Sequence, residues 1–148
     1  MVIYNAAALT FTPMDNPFSL FGEEYLSTFH VNVIGAYVCL CESVAGFKQL
    51  MDPGDMPKAF IATGNVVPFR PRPAAVTLGP GKAALVHLVQ VGNQAYEKLG
   101  CRFYFASQIT KDGSPVPYKD VDAAAHGRQY TELVDRQSLG DWDVRFIA

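Results

Sequence analysis

The chain has 148 residues, a net charge of −2 and 49% hydrophobic residues, which suits one hydrophobic core and a single domain. Its acidic and basic residues are interspersed, without the basic run or polybasic patch that nucleic-acid or membrane-surface binding requires. The longest apolar stretches are interrupted by Asn32, Glu42 or Lys82, so no membrane span is predicted.

The first third of the chain predicts a strand followed by a long helix. Val2–Ala8 is apolar on both faces, as in a strand buried in a parallel sheet, although the pattern alone leaves a helical segment open. From Phe21 to Leu50, apolar residues recur at spacings of three and four, which predicts a helix. Its opposite face is also apolar, so we expect contact with a sheet on one side and with a neighbour or second subunit on the other.

The rest of the chain continues the alternation of strands and helices. The segment Asp52–Pro57 breaks the helix, and Ala59–Thr63 is the second predicted strand. The remaining predicted elements are a helix over Pro80–Leu99 with Gly100 as its C-cap, a strand over Cys101–Ala106, a helix from Asp120 to about Arg136, and a strand over Trp142–Ile147. This order predicts an α/β fold with right-handed crossovers, a parallel sheet of about four strands, and long helices on both faces.

The cysteines and histidines favour neither disulfides nor a metal site. Cys39 and Cys41 lie two residues apart on a predicted helix and point to different faces, and Cys101 leaves the count odd. The three histidines have no spacing that suits a metal ion. The N-terminus lacks the basic region and cleavage site of a secretory signal. We therefore expect free thiols, no metal and a cytoplasmic protein.

Several short motifs resemble the short-chain dehydrogenase/reductase family, from its fourth strand to its seventh. Tyr4–Ala7 (YNAA) is similar to the Asn-Asn-Ala-Gly that ends the fourth strand near the adenosine side of the cofactor, and WDVRFIA (142–148) to the last strand. Asn32 matches the helix asparagine that supports a proton relay, and Lys82 matches the lysine of Tyr-x-x-x-Lys. The resemblance implies that residues 1–148 are one Rossmann-like domain without its Gly-rich N-terminal half. It also implies NAD or NADP as cofactor, contacted by Asn5, Ala6, Ala7 and Lys82.

The chain departs from the family pattern at the catalytic positions. The tyrosine expected four residues before Lys82 is Leu78, and the serine expected thirteen residues earlier is Asn65. LGPGKAA, in place of the tyrosine motif, is similar to an atypical, mostly fungal branch of the family. Gly79 and Gly81 lack the G-x-G-x-x-G spacing that holds a pyrophosphate. The resemblance therefore implies Asn32, Asn65 and Lys82 as catalytic residues and leaves the tyrosine position without a proton donor.

Each of these residues also has a structural interpretation. Lys82 can be a solvated residue at the helix start, Asn65 a turn residue after Gly64, and Asn32 a buried residue that bonds a neighbouring carbonyl. Because hydride transfer to a ketone requires a proton donor with a pKa near the working pH, Leu78 argues against the usual carbonyl reduction.

Two classes of function follow from these observations. The first is a short-chain dehydrogenase/reductase-like oxidoreductase that acts on a small carbonyl or hydroxy compound with NAD(P) if a complete active site is assembled. The second is an inactive, truncated relative that serves as a binding or oligomerisation module. In both cases we expect little dinucleotide binding by this chain alone. We also expect a partner, such as a second copy, to cover either the two long helices or the edge of the strand Val2–Ala8.

Overall fold

The computed structural model of the chain describes residues 1–50 and 56–148. One parallel sheet contains four strands in the order β1-β2-β3-β4. The strands are β1 (Val2–Tyr4), β2 (Lys58–Thr63), β3 (Cys101–Gln108) and β4 (Asp143–Phe146). The predicted α/β fold with a four-stranded parallel sheet is thus confirmed. The predicted helix break at Asp52–Pro57 lies largely outside the described residues.

The first long helix is continuous but not uniform. It consists of α1 (Glu23–Phe29), a π-helical segment (His30–Gly35) and α2 (Ala36–Gln49). The other helices are α3 (Leu78–Tyr96) and α4 (Ala123–Asp135), with single 3₁₀ turns at Pro73–Ala75, Glu97–Leu99 and Tyr118–Asp120. A π-helical turn places one more residue in the turn than an α-helix does, and the apolar spacing gave no sign of it.

Two predicted helix ends can be compared with the structure. Gly100 ends the 3₁₀ turn after α3 in the left-handed conformation, with φ of 69°, as its C-cap role requires. The prediction that α4 begins at Asp120 is wrong. The N-cap is Asp122, whose carboxylate accepts a hydrogen bond from the Ala125 amide at 2.9 Å. Asp120 instead closes the short 3₁₀ turn before it.

The two faces of the sheet carry separate cores. One face packs against α2 and α3 through Phe60, Ala62, Phe103 and Phe105, and the other packs against α4 through Ala59, Ile61, Tyr104 and Ala106. The four strands advance across the sheet in one direction, so connections on opposite faces have opposite hands. The crossover from β3 through α4 to β4 therefore differs in hand from the two before it. The expectation that all crossovers share the right hand is wrong for this connection.

The helix from Glu23 to Gln49 has more apolar surface than the sheet covers. Its 18-residue window has a mean hydropathy of 1.3 and is 22% buried, so by length and composition it could cross a membrane despite Asn32 and Glu42. Its inner face contacts β1, β2 and α3, as expected of a helix that packs on a sheet. Length and composition alone do not distinguish a helix that crosses a membrane from one that packs on a sheet. The interruptions at Asn32 and Glu42 therefore do not exclude a membrane span.

Candidate functional site

The carboxyl end of β2 holds the ammonium group of Lys82. This side chain leaves the second turn of α3 and is 4% exposed, and its Nζ donates a hydrogen bond of 2.7 Å to the main-chain oxygen of Thr63. Burial lowers the pKa of Lys82 to about 8, because desolvation disfavours the charged form. The structure therefore rules out the solvated interpretation of Lys82 and leaves a buried amine that titrates near neutral pH.

Leu78 lies one turn before Lys82, at the position where the family pattern has tyrosine. Its side chain is buried in a small cluster with Val67 and Ala75. The loop between β2 and α3 therefore uses this position as an apolar anchor. Consistent with the sequence, this position cannot supply a proton.

Asn65 takes part in a turn just beyond β2. Its side-chain oxygen accepts a hydrogen bond from the Val67 amide at 3.0 Å, which is the pattern of an Asx turn. The side chain is half-buried. The turn interpretation thus describes its geometry, while its catalytic role stays a prediction.

Asn32 holds the chain that follows β1. It is 2% exposed within the π-helical segment, and its side-chain amide pairs with Ala8 in both directions. Its Nδ2 donates to the Ala8 oxygen at 2.8 Å, and the Ala8 amide donates to its Oδ1 at 2.9 Å. This pairing fixes the end of the exposed segment Asn5–Ala7. The geometry matches the interpretation of Asn32 as a buried residue that bonds a neighbouring carbonyl. Its role in a proton relay stays a prediction.

Two threonine contacts join the loops that follow β1 and β2. The Thr77 hydroxyl donates to the Thr10 oxygen at 3.1 Å and accepts from the Thr10 amide at 3.1 Å. The Thr12 hydroxyl donates to the Pro73 oxygen at 2.9 Å. These bonds hold the two loops together beside Leu78. Sequence reasoning missed them, because single threonines in loops carry no pattern that identifies a long-range pair.

A second polar contact reaches the end of β2 from the opposite face of the sheet. The Tyr130 hydroxyl on α4 lies 2.7 Å from the Thr63 hydroxyl, and burial raises the pKa of Tyr130. Thr63 therefore contacts α4 through its side chain and Lys82 through its main chain. Because its pKa is raised, Tyr130 is a poor replacement for the missing acid.

The glycines near Lys82 serve packing rather than phosphate binding. Gly79 and Gly81 both lie inside α3, and a Cβ atom on Gly81 would be 2.4 Å from the Cβ of Asn32. Gly81 thus lets α3 approach the π-helical segment closely. The turn of α3 that carries Lys82 therefore lies beside the turn that carries Asn32. Among the described residues, this loop offers no pyrophosphate cradle, and the cofactor contacts expected of Lys82 and Asn5–Ala7 stay a prediction.

Comparison with known proteins finds a relative in sequence. The chain is 30% identical over 142 residues to the short chain dehydrogenase/reductase dmxR12 of Cryptosporiopsis sp. (strain 8999), a match that covers 96% of this chain and 56% of that protein. No protein-family model matches the chain.

Solved structures of dehydrogenases and ketoreductases share its fold at low sequence identity. A 4-hydroxyisoleucine dehydrogenase complexed with NADH and succinate superposes with a TM-score of 0.74 at 15% identity, over 99% of this chain and 64% of that one. The landomycin C-6 ketoreductase LanV with bound NADP and rabelomycin gives 0.71 at 13% identity, over 98% and 58%. An alcohol dehydrogenase from Thermococcus sibiricus complexed with 5-hydroxy-NADP gives 0.70 at 17%, over 99% and 61%.

The chain is therefore similar in sequence to a protein named as a short-chain dehydrogenase/reductase, and it shares the α/β fold of solved dehydrogenases and ketoreductases. It spans about half the length of the curated relative that it matches.

Proposed function

We propose that the chain is the lysine-bearing part of a short-chain dehydrogenase/reductase that oxidises or reduces a small carbonyl or hydroxy compound with NAD or NADP. The observation that carries this proposal is the buried Lys82 ammonium at the carboxyl end of a strand, where open α/β sheets bind their ligands. The relatedness to a protein named as a short-chain dehydrogenase/reductase supports the same function. The NADH and NADP complexes of proteins with this fold support a nicotinamide cofactor.

The residues of this chain would contact the nucleosides of such a cofactor but not its pyrophosphate. In the proposal, Lys82 donates a hydrogen bond to a ribose hydroxyl, and Asn5–Ala7 lies along the nucleoside. Asn32 keeps this segment in place through Ala8. When bound, the nicotinamide would supply or accept the hydride. The pyrophosphate contacts would come from a polypeptide segment other than the described residues of this chain.

We further propose that residues 1–148 form one unit of a cytoplasmic protein that pairs with a second copy. The support for pairing is the apolar outer surface of the helix from Glu23 to Gln49. Val38 and Tyr37 on that surface are 53% and 55% exposed. Monomeric proteins rarely leave such patches open to water.

Nicotinamide mononucleotide is a direct probe of the proposed function. It contains the nicotinamide ribose but lacks the pyrophosphate, for which the described residues offer no cradle. We expect both this mononucleotide and NAD to stabilise the chain at millimolar concentrations, since a ligand that binds the native state raises the unfolding midpoint. Lys82→Met should abolish the stabilisation. Lys111→Met, which removes an exposed lysine, should retain it.

The contrary result is also informative. If neither nucleotide raises the unfolding midpoint at any concentration, the chain does not contact the cofactor, and a binding or oligomerisation module becomes the better description. If both nucleotides stabilise Lys82→Met as well as the wild type, Lys82 is not the contact.

A further inference from the structure

Tyr4 connects the end of β1 to the π-helical segment. Its ring is buried in the core that α2 and α3 cover, and its hydroxyl donates a hydrogen bond to the main-chain oxygen of Val31. Burial raises the pKa of Tyr4, because desolvation disfavours the phenolate. The hydroxyl therefore keeps its proton and remains a donor at neutral pH.

Gly35, the last residue of the π-helical segment, leaves space for this hydroxyl. A Cβ atom on Gly35 would lie 2.9 Å from the hydroxyl oxygen of Tyr4. Val31 thus binds the hydroxyl, and Gly35 lets it approach the helix closely. A phenylalanine at position 4 would fill the same space in the core but would leave the Val31 oxygen without this donor.

The helix is irregular at the point that Tyr4 contacts. A π-helical turn contains one more residue than an α-helical turn, so it interrupts the ladder of main-chain hydrogen bonds between residues four apart. It also rotates the side chains that follow it about the helix axis. A side chain that bonds a carbonyl in such a turn helps to hold it in place. Tyr4 makes this bond at Val31, which lies next to Asn32.

Asn32 passes the position of this turn on to the chain after β1. It lies in the same π-helical segment, and its side-chain amide bonds both main-chain groups of Ala8, at 2.8 and 2.9 Å. The exposed segment Asn5–Ala7 thus runs between two anchored residues, Tyr4 and Ala8. Both anchors attach to one stretch of helix, Val31 and Asn32, so the geometry of this stretch determines where the exposed segment lies.

We propose that Tyr4 is a positioning residue for the exposed segment Asn5–Ala7 and that it acts through the π-helical segment. Its hydroxyl holds the turn at Val31, the turn fixes the side chain of Asn32, and Asn32 holds Ala8. The use of Asn5–Ala7 for nucleotide binding rests on the proposed function. The coupling between Tyr4 and Asn32 does not.

Tyr4→Phe tests this coupling without a nucleotide. In NMR spectra of the isotopically labelled chain, the main-chain amide of Ala8 and the side-chain amide of Asn32 should shift relative to the wild type. The pair of Asn93 and Phe103 is the internal control, because it makes the same two hydrogen bonds in the core, and its signals should not move. A general loss of stability does not shift the signals of the folded chain, so it cannot imitate this selective change.

Gly35→Ala displaces the same hydroxyl without removing it. Its methyl group would meet the Tyr4 oxygen at 2.9 Å, so we expect the Ala8 signal to shift as it does in Tyr4→Phe. Added to Tyr4→Phe, Gly35→Ala should shift the Ala8 signal no further, because the nearest remaining ring atom lies 3.9 Å away. Gly46→Ala is the matched control on α2, since no atom lies within 4 Å of its Cβ position, and it should give the wild-type signals.

Binding of NAD measures the functional consequence. The affinity of Tyr4→Phe for NAD should fall about fivefold, as expected for the loss of one hydrogen bond that orders the segment. Tyr118→Phe, which removes a hydroxyl at a fully exposed position, should bind like the wild type. Thermal unfolding checks that the variants are folded, and Tyr4→Phe should melt about 2–4 °C below the wild type.

Three results would overturn the proposal. Unchanged Ala8 and Asn32 signals in Tyr4→Phe would disprove the coupling, and so would a further shift when Gly35→Ala is added. Equal affinity of Tyr4→Phe and the wild type for NAD would disprove the positioning role. If the wild type binds no nucleotide, the proposed function fails and the positioning role fails with it, whereas the signals of Ala8 and Asn32 still decide whether Tyr4 holds the turn.

Discussion

At the scale of single residues, Gly81 is a point of close approach between α3 and the π-helical segment. A methyl group there would lie 2.4 Å from the Cβ of Asn32, and neither atom can move without a shift of its helix. We expect Gly81→Ala to lower the free energy of unfolding by about 1–3 kcal/mol, the usual cost of overpacking. Equilibrium unfolding in urea measures this change.

Gly79 provides the matched control in the same helix. No atom lies within 4 Å of the position of its Cβ. Gly79→Ala should therefore raise the free energy of unfolding by roughly 0.5–1 kcal/mol, because alanine loses less backbone entropy in a helix. If both alanine variants were equally stable, the close approach of α3 to Asn32 would be wrong.

Lys82 contributes to the pH dependence of stability at the alkaline end, where the raised pKa values of Tyr4, Cys101, Tyr104 and Tyr130 act in the opposite direction. Its pKa falls from an ordinary 10.5 to about 8 in the folded chain, so between these values the unfolded state binds more protons. Stability should therefore rise as the pH increases from about 8 to about 10.5, because the folded state no longer has to bury a charge. Below pH 8 Lys82 is protonated in both the folded and the unfolded state. Burial of its charge then lowers the free energy of unfolding by roughly 3 kcal/mol.

Lys82→Met tests this dependence directly. The substitution removes the buried ammonium, so the variant should be more stable than the wild type at pH 7 and should lose the rise above pH 8. Urea midpoints measured at half-unit steps of pH would show the difference. Lys111→Met, at an exposed position, should follow the wild-type curve. A difference in stability between Lys82→Met and the wild type that stays constant between pH 8 and 10 would contradict a lowered pKa for Lys82, because the other alkaline groups are common to both proteins.

The sequence predicted the positions of the residues around the candidate site. It did not predict the hydrogen-bond partners that these residues have in the structure. Lys82, Leu78, Asn65 and Asn32 follow from matching a spacing, and all four lie around one end of the sheet. Their partners are distant in the chain: Lys82 bonds Thr63 and Asn32 bonds Ala8. Ser107 lies one residue beyond the predicted strand Cys101–Ala106, and the close approach of its hydroxyl to Gly64 depends on the neighbouring strand.

At the scale of elements, Asn93 extends the sheet where β4 is too short. β4 pairs with Phe105–Gln108 only, and opposite Phe103 the side chain of Asn93 replaces a strand. Its Nδ2 donates to the Phe103 oxygen at 2.8 Å, and its Oδ1 accepts from the Phe103 amide at 2.9 Å. Asn93→Ala should therefore cost about 2–4 kcal/mol, because it leaves both main-chain groups of a buried residue unpaired.

Asn93→Asp separates the two hydrogen bonds. A carboxylate still accepts from the Phe103 amide but cannot donate to its oxygen, and its charge is buried. The free energy of unfolding of this variant should therefore fall as the pH rises and the introduced carboxyl group ionises. Asn93→Ala should show no such pH dependence. Equal stability of Asn93→Ala and the wild type in urea would contradict the bridging role.

Element type was predictable from the sequence because each strand and helix has a strong local pattern. The alternation of CRFYFA, for example, places Phe103 and Phe105 on one face and Tyr104 on the other, as the two cores confirm. Features set by long-range packing were not predictable in this way. These include the hand of the crossover through α4 and the shortness of β1, which ends at Tyr4 although the apolar run continues to Ala8.

At the scale of the whole molecule, two of the apolar surfaces that the described chain leaves exposed lie on regular elements and could pair with a second copy. One is the outer side of the helix from Glu23 to Gln49, where Leu26, Ile34, Tyr37 and Val38 are each about half exposed, from 48% to 55%. The other is β1, which pairs with β2 on one side only and has Ile3 exposed to 40%. Unpaired edge strands invite pairing with another chain. Both surfaces therefore favour association, and they predict different variants that would prevent it.

We expect the helix surface to dominate, because it is larger and its side chains are more exposed than Ile3. Val38→Lys should shift the chain from dimer towards monomer in sedimentation or light-scattering measurements at micromolar concentrations, since a charge in an apolar interface is costly to bury. Ile3→Lys should leave the dimer intact. Gln94→Lys on α3, at an already exposed polar position, controls for the added charge. Dissociation by Ile3→Lys alone would instead assign the interface to the edge of β1, and a monomeric wild type would exclude both surfaces as contacts between copies.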